Sequence, residues 1–115
     1  MSGVGERGVR QGVAFRTEIA DHLRAAGFKN ARARSREEPA EIGDILDIPG
    51  VAITVSSRLS ARHSEMLRAA HAVPGKGPRI HAAIVQRSSY DVDAGTHVFM
   101  DLNDFCRLLA RARQH

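Results

Sequence analysis

The chain of 115 residues contains no tryptophan, one tyrosine, four phenylalanines and a single cysteine. Few exposed aromatics argue against a stacking platform for single-stranded bases. One cysteine excludes an internal disulfide and any zinc cluster built on thiolates. No apolar run is long enough to cross a bilayer, and the N-terminus lacks the apolar stretch of a signal peptide. A cytoplasmic protein is the expectation. Lysine is also scarce, two against fifteen arginines. Walker-type glycine loops, Ser-His-Asp arrangements and zinc-ligand spacings are missing. Gly75-Lys76-Gly77 lacks the residues a phosphate loop needs after it and reads as a turn.

What is present is charge, unevenly placed. The net charge is +4 and the pI about 10.2, a balance that suits a polyanionic partner. Residues 1–36 carry eight basic and three acidic side chains. Residues 37–50 carry five acids (Glu37, Glu38, Glu41, Asp44, Asp47) and no base, and from 51 onward nine bases stand against five acids. Basic flanks around an acidic segment suit a metal-dependent nuclease, in which arginines grip phosphates and carboxylates hold Mg2+. A solvated charged surface has the same signature.

The pattern predicts one domain over 10–115, preceded by a glycine-rich, flexible arm over 1–9. Phe15, Ile19, Leu23 and Ala26 recur at helical spacing over 10–26, and Gly27 supplies a stop. Residues 28–35 alternate as a strand with Arg32, Arg34 and Arg36 on one face. In GDILDIPGVAITVSS, Gly43 and Pro49-Gly50 punctuate two short strands, 44–47 and 51–56. A helix over 59–72 is expected from the stripe Leu59, His63, Met66, Leu67 and Ala70. Strands follow at 79–86 and 96–101, joined by a polar loop with Asp91, Asp93 and Gly95. A last helix, 102–113, is expected to turn Leu102, Phe105, Cys106, Leu108 and Leu109 inward, making the thiol buried and inert. The fold class is α/β, a mixed central sheet flanked by helices. The six histidines offer little; His63 and His71, eight residues apart, are too distant along one helix for a metal pair.

Hydrolysis of a phosphodiester with Mg2+ requires converging carboxylates and, commonly, a cation to steady the developing charge. The stretch GVAFRTEIADHLRAAGF, a basic strand, then GDILDIPGVAITV resembles the small Holliday-junction resolvases of the PD-(D/E)XK superfamily, especially short phage-borne versions. The likeness spans about residues 10–110 and rests on the order and spacing of short motifs. It implies a restriction-endonuclease-like core, Mg2+ as cofactor if active, branched DNA as partner, and a homodimer whose two sites cut opposite strands. Glu18 matches the glutamate of the first helix and Asp44 the aspartate opening the second strand; both would be metal ligands. Ile53-Thr54-Val55-Ser56 stands where the family carries I-E-V-K. Thr54 and Ser56 therefore replace the carboxylate and the lysine.

Losing one electrostatic stabiliser commonly costs about 10²–10³ in rate. The expectation is thus a nuclease-fold DNA-binding protein with a weak or dead centre, Arg10, Arg16, Arg32, Arg34, Arg36, Arg58 and Arg62 contacting phosphates. Two alternatives stand beside it. One is an active Mg2+-dependent endonuclease that draws missing groups from Glu41, Asp47, a partner subunit, or Arg58 and Arg62. The other is a phage protein-interaction module that binds a host factor.

Overall fold

The computed structural model describes residues 2–58, 61–75, 79–86 and 95–113, with side chains from residue 12 onward. Asp91 and Asp93 of the expected polar loop, Leu59 of the expected helix stripe, Lys76 and Gly77, and the side chain of Arg10 lie outside that set.

Helix α1 (Ser2–Ala25) leads into two short strands, β1 (Arg32–Ala33) and β2 (Ile45–Leu46), separated by a 3-10 turn at Ala40–Ile42. Strand β3 (Val51–Ser56), helix α2 (His63–His71), β4 (Ile80–Gln86), β5 (Thr96–Phe99) and helix α3 (Leu102–Arg113) follow. The five strands form one mixed sheet in the order β1-β2-β3-β4-β5. β1, β2 and β3 are successively antiparallel, β3 and β4 are parallel with α2 as their crossover, and β5 returns antiparallel. Hence β1, β3 and β4 all point the same way.

The two faces of the sheet are covered differently. Phe15, Ile19 and Ala20 of α1 pack with Ile45, Ile53, Val55, Ala82 and Ile84. Burial of a side chain such as Phe15 or Ile19 is worth about 1.5–3 kcal/mol. The opposite face carries small residues, Ala52 and Ala83, and Ala70 of α2 is fully buried. Short side chains on both partners let α2 lie close to the sheet.

Three expectations are revised. α1 begins at Ser2, so residues 2–9 of the expected flexible arm are helical; extending an existing helix is far easier than nucleating one, and this outweighs the propensity cost of Gly3, Gly5 and Gly8. The strands expected over 28–35 and 44–47 shrink to two residues each. Asp47 there adopts a left-handed φ of 65°, which breaks the ladder and turns the chain toward Gly50. Most consequentially, the apolar stripe of α3 is not inward. Leu102, Phe105, Leu108 and Leu109 are exposed, as is Cys106. The only buried residue of α3 is Asp104; the helix docks by its polar side, through Asp104 and Arg107.

Candidate functional site

Because β1, β3 and β4 are co-directional, their C-terminal ends share one edge of the sheet with the first residues of β2 and β5. That edge is where open α/β sheets hold ligands. Arg34 and Arg36 follow β1, Asp44 precedes β2, Ser56 ends β3, Arg58 follows it, and Arg62 caps the start of α2. α1 runs antiparallel to β1. Its residue Arg16 donates from Nε to the Arg34 carbonyl (3.3 Å), while Arg24 near its end donates to the Ala31 carbonyl (2.6 Å) before β1. Position 10 of α1 therefore also lies toward this edge. Only Arg32, at the start of β1, falls toward the other end.

Asp44 is the carboxylate best placed at this edge, and both of its oxygens are engaged. Oδ1 accepts from Arg34 Nη2 (3.0 Å) and Nε (3.3 Å), and Oδ2 accepts the Val55 N–H (2.7 Å). The side chain thereby continues the β3 ladder beyond the point where β2 begins. The Arg34–Asp44 pair is well shielded, with side chains 12% and 15% exposed. Burial, then the neighbouring Arg34 charge, lowers the pKa of Arg16, with Asp44 acting in the opposite sense.

The other expected catalytic residues do not join it. Glu18 is exposed on α1 and makes no hydrogen bond or ion pair with a described residue. It lies two residues from Arg16, about 200° around the helix axis. Thr54 is buried, and its Oγ1 donates to the Met66 carbonyl of α2 at 2.8 Å; its hydroxyl is directed at that helix. Ser56 Oγ accepts the Arg58 N–H at 3.2 Å. A divalent hard cation needs several free oxygens at one point. With Asp44 engaged, Thr54 turned to α2 and Glu18 outside, these residues do not fit Mg2+.

The acidic segment 37–50 has a different use. Arg32 Nη1 and Nη2 donate to the two carboxylate oxygens of Glu38 (2.7 and 3.1 Å), and its Nε donates to Asp47 Oδ2 (2.8 Å). Arg34 Nη1 donates to the Glu38 carbonyl. The hydrogen bonds from Arg32, with help from the Ser35 N–H, hold the Glu38 carboxyl down to about 2. Glu38, Asp44 and Asp47 thus neutralise Arg32 and Arg34. Arg36 and Arg58 are exposed with no carboxylate partner among the described residues, and Arg62 has only a loose contact with Glu65 at 3.9 Å.

A second constellation sits at the opposite end of the sheet, and sequence reading missed it. His71 ends α2, His81 follows the first residue of β4, and Asp104 lies in the first turn of α3. The imidazoles of His71 and His81 stack with centroids 3.9 Å apart. His81 Nδ1 lies 2.9 Å from Asp104 Oδ2, which also accepts the His81 backbone N–H at 3.0 Å. Arg107 Nη1 donates to Asp104 Oδ1 (2.9 Å), and His71 Nε2 lies 2.5 Å from Asp101 Oδ2. Burial raises the Asp104 pKa, but the hydrogen bonds and charges of His81 and the charge of His71 outweigh it and hold the carboxyl low. The only sequence signal was an aspartate on the polar side of an amphipathic helix, which has no period of its own.

Comparison with known protein families, with curated proteins and with solved structures finds no match.

Proposed function

We propose that this chain is a nucleic-acid-binding protein on a nuclease-like α/β scaffold, in which no phosphodiester-hydrolysing centre is assembled. The observation that carries the reading is that Arg36, Arg58 and Arg62 are all exposed and stand after β1, after β3 and at the start of α2, on the side where β1, β3 and β4 end. Arg36 and Arg58 have no carboxylate partner among the described residues and Arg62 has only its 3.9 Å contact with Glu65, so all three can exchange counterions for phosphates. The helix–three strands–helix–strand order, with a parallel β3–β4 pair, is compatible with the PD-(D/E)XK core that the sequence resembles. The lack of chemistry follows from Asp44 and Thr54: one is locked by Arg34 and Val55, the other by Met66.

Three phosphate contacts give a log–log salt slope near −2.7, about a 40-fold loss of affinity from roughly 50 to 200 mM salt. Fluorescence anisotropy with a labelled four-way junction and a matched duplex measures it. A flat response between those salts would defeat the proposal. Incubating the junction with Mg2+ or Mn2+ is expected to give no nicks. Symmetric nicks that vanish in Asp44→Ala would instead establish an active resolvase.

The homodimer implied by the resemblance belongs to the same reading, and the exposed Phe105, Leu108 and Leu109 of α3 give a second copy an apolar surface to cover. Light scattering should find a dimer that Leu109→Glu converts to a monomer. A monomeric wild-type chain removes that part of the reading and leaves the arginine edge standing.

A further inference from the structure

The end of the sheet away from the arginines brings together donors of another kind. One ligand atom from each of His71, His81 and Asp104 can be chosen so that all lie within 4.8 Å of one another. We infer that these three side chains bind a divalent transition-metal ion of the zinc class, and that the ion fastens α3 to the sheet.

Three features of the geometry support this. First, the pair His81 Nδ1 and Asp104 Oδ2 is already 2.9 Å apart. Ligands at Zn–N and Zn–O distances of about 2.0–2.2 Å in tetrahedral array stand roughly 3.3 Å from each other. An ion can take the place of the proton between those two atoms with only a small widening. Second, the carboxylates are oriented from outside. Arg107 Nη1 and the His81 backbone N–H hold Asp104, and Asp101 engages His71 Nε2. Hydrogen bonds of this sort around ligand groups fix ring and carboxylate orientation in metal sites. Third, with His71 Nε2 turned to Asp101 its Nδ1 is the atom left for the ion, and the 43% exposure of that side chain leaves room for the His71–Asp101 pair to shift together and lift the ring off its stack on His81.

The donor set selects the metal. Two imidazoles and one carboxylate suit Zn2+, Co2+ or Ni2+, whereas Mg2+ prefers oxygen alone. Three protein ligands leave a coordination position for water. The three come from the end of α2, the start of β4 and the first turn of α3. Asp104 is the only buried residue of α3, so an ion there would brace the helix at its most shielded contact with the sheet, beside the bonds of Arg107. None of this depends on nucleic-acid binding, which concerns the opposite edge.

The test uses the full chain, dialysed against a chelator and then titrated with Zn2+ in competition with a chromophoric chelator. One equivalent should bind, with a rise in melting temperature, and Co2+ should give visible d–d absorption of a nitrogen- and oxygen-ligated site. His71→Ala removes an exposed ligand, should stay folded by circular dichroism, and should weaken Zn2+ at least ~100-fold, since losing a ligand exceeds the ~10–100-fold cost of losing an outer-shell partner. Asp101→Asn should weaken it about tenfold, and His97→Ala should bind like wild type. Absence of stoichiometric binding to the wild-type chain would overturn the inference. So would wild-type affinity in His71→Ala, which would assign the ion to another surface histidine.

Discussion

Asp44 has two engaged oxygens, and its value to the protein can be read from what each would leave behind. Asp44→Ala strands the Arg34 guanidinium in a site only 12% exposed and unpairs the Val55 N–H. Breaking a buried pair on one side costs about 3–5 kcal/mol, and some water access here brings the expectation to roughly 2–4 kcal/mol. Urea denaturation should report this as a lower midpoint with an unchanged slope. A loss under about 0.5 kcal/mol, the range of ordinary surface substitutions, would show that Asp44 is not a structural residue. Thr54→Val, which removes one hydroxyl donor to Met66, should cost about 1 kcal/mol. Thr54→Glu is expected to cost more, because it puts a carboxylate into a position 5% exposed against α2. At this scale the sequence marked Asp44, Thr54 and Ser56 as positions of interest without revealing their partners. Alternation within a strand says which residues share a face, but not which helix carbonyl or guanidinium waits there.

The elements were legible in proportion to their length and periodicity. β3 runs over 51–56 and α3 over 102–113, as their patterns predict. β1 was overestimated because three alternating arginines look like a strand face, whereas Arg32 and Arg34 are turned to Glu38 of the following loop and to Asp47 and Asp44 on either side of β2. That loop supplies a pH dependence. Glu38 is shifted from 4.5 to about 2, chiefly by its hydrogen bonds from Arg32. A carboxyl with a depressed folded pKa stabilises the fold above its unfolded pKa, and that contribution fades as pH falls from about 4.5 toward 2. Glu38→Gln should therefore lower the melting temperature at neutral pH, with the difference from wild type vanishing as pH approaches 2. A difference that stays constant across this range would mean that the Arg32 pair contributes nothing. For α3, periodicity identified an apolar stripe but carried no information on what covers it. Cys106 sits on that side, so in the monomeric Leu109→Glu variant one thiol per chain should react with a disulfide reagent in the native state as readily as in urea, whereas the wild-type dimer should protect it. A wild-type thiol as reactive as the variant's would mean that this side of α3 is not covered in solution.

Across the whole molecule, a net charge of +4 conceals a division of labour between arginines that only the fold reveals. Seven arginines looked equivalent in the sequence, but strand direction sends Arg32 to one end and Arg36, Arg58 and Arg62 to the other. The acids that looked like a metal pocket neutralise Arg32 and Arg34 instead. This separation can be measured with three single variants. Arg36→Ala and Arg58→Ala should each make the salt slope of DNA binding shallower by about 1, weakening binding to junction and duplex alike. Arg32→Ala should leave the slope unchanged, since its guanidinium is already neutralised by Glu38 and Asp47; its effect should appear in stability. Equal slopes for all three variants would place the phosphates over the entire surface rather than along one edge of the sheet. A changed slope for Arg32→Ala alone would put the bound polyanion along the β1 side of the sheet, over Glu38 and Asp47.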